Sequence, residues 1–292
     1  MSRIIRGVTR DGSARFFIID SKDIVNAAHR YHRTSPTATA ALGRVLTGAS
    51  LMGCMLKNKG SSLTLQFRGS GPAGLVLAVS DYCGCVKGYM ASPEADLPLK
   101  PNGKLDVGGL IGKGGMFVIR DEGEGEPYIG ISDIVSGEIA EDLASYFVTS
   151  EQTPTLVALG VLVGVDRSCE AAGGVIVQAL PGADDAVIAR IEENAGRLTN
   201  ISSLFAAGKT CEEVAGTLLE GVEYDLFDEI AAEYLCDCSR ERMGRGIASL
   251  GGEDLDEIFD EEGRTEAVCR FCGKKYSFTK EQILEIQKNL KK

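Results

Sequence analysis

Short apolar runs bounded by Gly, Ser or Asp fill the first 180 residues or so. "ARFFIID" (14–20), "SLTLQFRG" (62–69), "GLVLAVS" (74–80) and "GMFVIRD" (115–121) each predict a strand. Two stretches keep a helical rhythm instead. "PTATAALGRVLTGASLMGCMLK" (36–57) follows Thr34-Ser35 and opens on Pro36, as a helix first turn does. Its many small residues suit close packing on a sheet. "SGEIAEDLASYFVTS" (136–150) sets Ile139, Leu143 and Phe147 four residues apart. Many strands, few helices and tight turns predict α+β rather than a doubly wound parallel sheet.

The texture changes at Pro181-Gly182. From there to about 232 the pattern predicts short helices. "DAVIARIEENAGRL" places Val187, Ile188, Ile191 and Ala195 on one face, and Thr210 with Glu213 makes a capping box before "CEEVAGTLLEG". Such short helices need a partner surface. The last sixty residues form another unit. Ser239 caps a helix bearing Met243, Ile247 and Leu250, closed by Gly251-Gly252. A short helix with Leu255, Ile258 and Phe259 follows. "AVCRFCGKKYSF" reads as a turn between two strands, and a Thr279–Gln282 capping box opens a final helix with Ile283, Ile286 and Leu290 on one face. The expected organisation is a core domain (1–180), a helical linker (181–232) and a small C-terminal domain (233–292).

The 292 residues suffice for two domains, and 44% hydrophobic with 25% charged is ordinary globular composition. The net charge of -11 argues against a broad phosphate-binding surface. "MSRIIRGVTRDGSARFFIID" lacks an apolar core of signal-peptide length, and no run reaches the roughly 18 apolar residues of a membrane span. The expected location is therefore the cytoplasm. There the nine cysteines point to metal or redox chemistry rather than a disulfide framework.

Four cysteines form a constellation. Cys236 and Cys238 make a C-x-C, and Cys269 and Cys272 follow as a C-x-x-C after 30 intervening residues. Four thiolates around one tetrahedral zinc need sulfurs roughly 4 Å apart, which both spacings can supply. A metal would offset the small core of a sixty-residue unit. Arg240, Arg242, Arg270, Lys274 and Lys275 lie near in sequence and favour thiolate over thiol. A C-x-C pair also closes a small, strained ring when oxidised, and strained disulfides form reversibly. Three readings stay open on the residues alone: a zinc-thiolate switch, a thiol-disulfide oxidoreductase, and a zinc-ribbon nucleic-acid binder. The last is poorly supported by charge, with 11 Lys and Arg against 13 Asp and Glu from Glu233 to Lys292.

"CDCSRERM", the 30-residue gap and "CRFCGKKYSF" resemble the zinc-binding end of the bacterial thirty-three-kilodalton chaperonin family. "SPTATAALGRVLTGASLMGCMLK", "LTLQFRGSGPAGLVLAVSD" and "VSGEIAEDLASYFVTSEQTPT" resemble its amino-terminal domain in order and position, so the likeness runs the length of the chain. The resemblance implies an α/β amino-terminal domain, a metastable helical linker and a four-thiolate zinc domain. It implies one Zn2+ held by Cys236, Cys238, Cys269 and Cys272 in a reduced, inactive form. On oxidation it implies disulfides Cys236–Cys238 and Cys269–Cys272, loss of zinc and unfolding of the end domain and linker. The active form is then an ATP-independent holdase, often a homodimer, that binds unfolding clients, with no catalytic residues, no nucleic acid and no membrane partner.

Other signals are discounted. Cys83 and Cys85 have no partner C-x-x-C and read as part of a strand or hairpin, and Cys54, Cys169 and Cys211 read as inert apolar residues. "GGLIGKGG" (108–115) has Val107 where a phosphate loop needs glycine and Gly114 where it needs Ser or Thr, so it reads as a hairpin turn. His29 and His32 read as a solvated helix end, and "EDLDEIFDEEG" as a solvated helix face.

Overall fold

The computed structural model describes residues 2–198, 200–250, 255 and 257–290. The chain divides into two compact units, Met1–Leu235 and Cys236–Lys292. Among the described residues no helix is long and apolar enough to cross a membrane.

The larger unit holds two antiparallel sheets. The first is ordered β10-β1-β2-β9-β8, from β1 (Ser2–Thr9), β2 (Ala14–Asp20), β8 (Thr155–Val163), β9 (Cys169–Ala179) and β10 (Tyr224–Leu226), with β11 (Ile230–Ala232) also paired to β1. The second is ordered β5-β4-β3-β6-β7, from β3 (Ser62–Gly69), β4 (Leu75–Asp81), β5 (Val86–Met90), β6 (Gly114–Asp121) and β7 (Tyr128–Asp133). Every pairing between these strands is antiparallel, as the expected α+β class requires.

β2 shows why its run is almost wholly apolar. Successive side chains point to opposite faces. Phe17 and Ile19 enter one core, and Phe16 and Ile18 enter another. A sheet covered on both faces needs apolar residues at both parities. One cover is α2 (Pro36–Gly53), of which all residues but Pro36 and Arg44 are buried. Ser35 caps it by accepting from the Ala38 amide at 3.1 Å, and Pro36 occupies the first turn. A Cβ at Gly48 would come within 2.7 Å of Leu143, and one at Gly53 within 2.2 Å of Ser80. The small residues thus set the approach of helix and sheet. The helix stops at Gly53, short of the expected Lys57.

The other cover is the segment after Pro181. α5 (Asp185–Ala195), a 3-10 turn (Gly196–Leu198), α6 (Ile201–Ala206) and α7 (Cys211–Leu218) lay Ile191, Ile201, Phe205, Val214 and Leu218 against Phe16, Ile18, Val175 and Val177. The first sheet is therefore the partner surface these short helices need. The Thr210–Glu213 capping box is present, with the Thr210 amide donating to Glu213 Oε2 at 2.8 Å. Gly173 leaves room for Phe205, since a Cβ there would sit 2.2 Å from its ring.

Three expectations are corrected here. Residues 108–115 are not a hairpin turn: Asp106 caps α3 (Val107–Ile111) by accepting from the Gly109 amide at 2.9 Å, and Gly114 begins β6. The histidines are not solvated. His29 Nδ1 lies 3.1 Å from Thr34 Oγ1, and His32 Nε2 lies 2.9 Å from the Gly88 carbonyl, both half-buried. Finally, α4 (Ala140–Thr149) begins later than residue 136, because residues 135–139 wrap around a carboxylate. Asp142 is fully buried. Its Oδ1 accepts from the amides of Val135 (2.7 Å), Ser136 (3.0 Å) and Gly137 (3.3 Å), and its Oδ2 from Ile139 (2.9 Å). These bonds hold Ile139 in the left-handed region at φ 68°, costly for a β-branched residue.

In the smaller unit, α8 (Arg240–Ala248) is capped by Ser239, which accepts from the Arg242 amide at 3.1 Å. β12 (Arg264–Val268) and β13 (Lys275–Thr279) form a hairpin, and a closing helix spans Lys280–Leu290. The Thr279–Gln282 box is formed, with the Thr279 amide donating to Gln282 Oε1 at 3.1 Å. Leu250 and Leu290 are exposed. Gly251-Gly252 lies outside the described residues. So do parts of the expected helix near Leu255 and of the acidic run.

Replacing Asp142 with Asn puts a donor where amide hydrogens converge. Asp142→Asn is expected to cost about 3 kcal/mol of stability, read from the urea unfolding midpoint by circular dichroism. A loss below about 1 kcal/mol would show that the carboxylate does not hold the loop.

Candidate metal centre

The core of the smaller unit is slight. Its core cluster, among the described residues, is Ala248, Leu255, Tyr276, Phe278 and Ile283, with Met243, Ile247 and Ile286 packed at the margin. Gly244 lets α8 meet that core, since a Cβ there would lie 2.7 Å from Ile286 and 3.1 Å from Phe278. Arg240 stacks 4.4 Å over the Phe278 ring.

Against this core the fold gathers four sulfurs. Cys236 and Cys238 lie on the irregular segment that leads into α8. Cys269 and Cys272 lie in the turn of the β12–β13 hairpin. That turn closes by bonds from the Gly273 amide to the Cys269 carbonyl (2.8 Å) and from the Cys269 amide to the Lys274 carbonyl (2.9 Å). Gly273 has φ 70°, which a glycine adopts at no steric cost. The four Sγ atoms all lie within 4.8 Å of one another. Cys236 and Cys269 are 3.7 Å apart, and Cys238 and Cys272 3.4 Å. Thiolates at 2.3 Å from a shared tetrahedral ion would be about 3.8 Å apart, so the donor set fits a metal of the zinc type.

Sequence reasoning missed Tyr276. Its Oη lies 3.1 Å from Cys238 Sγ and 3.1 Å from the Cys238 carbonyl, and its one proton is within reach of either. Alternation along β13 puts Tyr276 and Phe278 on one face, a signal readable only once the strand register is known. Partial burial works against a Cys238 thiolate. Hydrogen bonds from Tyr276 and the neighbouring thiols outweigh it and bring the Cys238 pKa down to about 7. Burial pushes the Cys236 and Cys272 thiols up. The Arg242 guanidinium pairs with Asp237, between the two cysteines of the C-x-C.

The remaining cysteines lie elsewhere. Cys54, Cys169 and Cys211 are buried, and burial pushes each to about 12. Cys83 and Cys85 are half-buried at the β4–β5 hairpin, and their amides both donate to Asp81 Oδ1 at 2.9 Å.

A second contact set lies just before the site. The Val86 amide donates to the Glu233 carbonyl (2.9 Å), and the Leu235 amide to the Val86 carbonyl (3.0 Å). Tyr234 Oη donates to the Gly88 carbonyl at 2.7 Å and accepts from the Gly88 amide at 3.2 Å, with His32 Nε2 at 3.3 Å. Only Leu235 separates this anchor from Cys236.

The family model described as "Hsp33 protein" matches residues 2–279. The 33 kDa chaperonin of Clostridium novyi (strain NT) is 44% identical over 291 residues, covering 99% of both chains. That of Clostridioides difficile (strain 630) is 42% identical over 288 residues, covering 98% of this chain and 99% of the relative. Among solved structures, the 33 kDa chaperonin (heat shock protein 33 homolog) of Thermotoga maritima is similar with a TM-score of 0.90 at 36% identity. The match covers 99% of this chain and 98% of that one.

When the reduced protein is pulsed with alkylating agent at the moment of chelation, before the unit unfolds, Cys238 should be alkylated before Cys236, at a rate that climbs as pH rises through about 7. Tyr276→Phe should slow that reaction at neutral pH by removing a donor to the thiolate. Mass spectrometric mapping of the alkylated sites reads both effects. Equal labelling of the four cysteines would contradict them.

Proposed function

The chain belongs to the Hsp33 family of 33 kDa chaperonins, and from that premise we propose that it is a redox-regulated, ATP-independent holdase. The observation that carries this reading is the cluster of four sulfurs against a five-residue core. In the reduced state one Zn2+, held by Cys236, Cys238, Cys269 and Cys272, supplies folding free energy that so small a core lacks. Oxidant disassembles the donor set. At each pair, Cys236–Cys238 and Cys269–Cys272, two thiolates give up two electrons and form a disulfide, while peroxide takes two protons and becomes two waters. A disulfide sulfur is a poor ligand, so the unit loses both its metal and its fold.

The proposed division is a core (1–180), a metastable linker (181–232) and a redox-switch domain (233–292). The linker buries its apolar side chains on the first sheet, and metastability is supported only by its length of helix and its surface ion pairs. Its helices are short, and the ion pairs Arg3–Glu229 and Arg10–Asp225 are exposed and weak. If Tyr234 is released, β11 and β10 can leave β1, and α5 to α7 can follow. Apolar residues such as Ile201, Phe205, Phe16 and Val175 would then face solvent on both sides of the parting. Such a patch binds unfolding chains, and two copies can share it as a homodimer. In this reading the protein is no enzyme and acts in the cytoplasm on damaged clients. An oxidoreductase wants its C-x-x-C at a helix N-terminus, whereas Cys269 and Cys272 lie in a turn between strands.

The test treats the reduced zinc protein with peroxide, follows zinc with a chromogenic chelator, and assays suppression of client aggregation in the same sample. One zinc per chain should be released in step with the gain of suppression. Zinc kept throughout, or lost without that gain, would defeat the switch. Tyr234→Phe should accelerate amide exchange over 224–235 in the reduced protein by about 10-fold, since it removes hydrogen bonds worth about 1 kcal/mol each. It should also lower the peroxide needed for activation. Exchange equal to the parent protein would remove Tyr234 from the coupling.

A further inference from the structure

A recess of about 500 Å³ opens between the two sheets of the larger unit. Arg15 of β2 lines one side and Arg120 of β6 the other, and the end of α2 with the residues after it supplies Met52, Met55 and Leu56. The Arg15 guanidinium is half-buried and donates to Gln178 Oε1 from Nε (2.9 Å) and from Nη2 (2.6 Å). Gln178 is itself buried and fixed through its Nε2 to Thr155 Oγ1 at 3.2 Å. A neutral amide therefore orients this cation. Among the described residues no carboxylate makes an ion pair with Arg15.

The other charges of the recess, the exposed Lys57 aside, are engaged. Arg120 pairs with Glu151. Glu122 Oε2 accepts from Asn58 Nδ2 (3.1 Å) and Ser61 Oγ (2.9 Å). Counting Lys57, three cations face two carboxylates, a surplus of one positive charge. A half-buried cation without a counter-charge costs free energy. Burial, and secondarily the neighbouring Arg120, already push the Arg15 pKa below the usual arginine value.

We propose that this recess is a binding site for a monoanion with a short apolar tail, of the class of medium-chain carboxylates. The carboxylate sits on the free edge of the Arg15 guanidinium and supplies its missing counter-charge, in the bidentate geometry a guanidinium favours. The tail lies along Met55 and Leu56, above the buried Met52, and the methionine thioethers adapt to irregular shapes. A volume of this size suits a small ligand. The site draws on none of the four clustered cysteines, so it stands apart from the switch.

The probe is octanoate, titrated into the reduced full-length protein, with acetate and octanol as separate ligands. One octanoate per chain should bind, with acetate and octanol each at least about 10-fold weaker, because each lacks one half of the recognition. Arg15→Gln should weaken octanoate by about 10-fold or more, the worth of one charge-assisted bond. With methyl-labelled methionine, octanoate should move the Met52 and Met55 resonances and leave Met243 in place. The methyl map and the three-ligand comparison use the unaltered protein and so stand even if Arg15→Gln folds poorly. Octanol binding as tightly as octanoate, no loss in a folded Arg15→Gln, or unmoved Met52 and Met55 methyls would each overturn the assignment.

Discussion

Four thiolates cannot stay crowded together unaided. Two unit charges about 4 Å apart repel by about 4 kcal/mol at an effective dielectric of about 20, and this cluster contains six such pairs. Protonation relieves that repulsion, as at Cys236 and Cys272, whose thiols burial pushes up. A shared cation relieves it too, and so does converting thiolates to disulfides. The last two demand different geometry: four donors around a centre, or two separate pairs. The β12–β13 turn, with Gly273 at its end, serves the first. The proposed redox switch depends on that choice, because the unit around the sulfurs has little else to hold it.

The larger unit solves a different problem. Its first sheet is apolar on both faces and must be covered twice. One cover, α2, is buried almost all round and is held by its close approach to both sheets. The other is built of helices of six to eleven residues, strung between loops and ending on the two short strands at the β1 edge. The two covers thus differ in construction, one a single long helix and the other a chain of short ones. The bonds of the Asp142 loop are buried, local and numerous, and they draw nothing from the segment after Pro181.

What could be read in the sequence divides along physical lines. β2 was legible to the residue, because a strand buried on both faces leaves an unbroken apolar run. The Thr210–Glu213 and Thr279–Gln282 boxes were legible because capping is local. The four cysteines were legible because their spacing alone limits what they can surround. Tertiary partners were not. Nothing near His32 announces Gly88 or Tyr234, 56 and 202 residues away along the chain. The stripes of α5 to α7 show that a surface is needed but not which one. The 108–115 stretch misled because glycines that permit a turn also permit close approach, and here Gly112 and Gly114 pass against the backbone of Gly71 and Arg68. Arg15 gave no signal at all, since a lone arginine in an apolar strand looks like any surface-facing residue.

The single residue between Tyr234 and Cys236 sets a length. Two residues of fully extended chain reach about 7 Å. A linker of ten or twenty glycines at that point would let the sulfurs wander while the strands behind them felt nothing. With Leu235 alone there is no slack to draw in. Any excursion of Cys236 beyond a few ångströms must pull on the phenol lodged at Gly88, and tension at one end of this leash is felt at the other. In the proposed switch, insertions just before Cys236 would therefore do more than lengthen a loop: they would uncouple the trigger from the load.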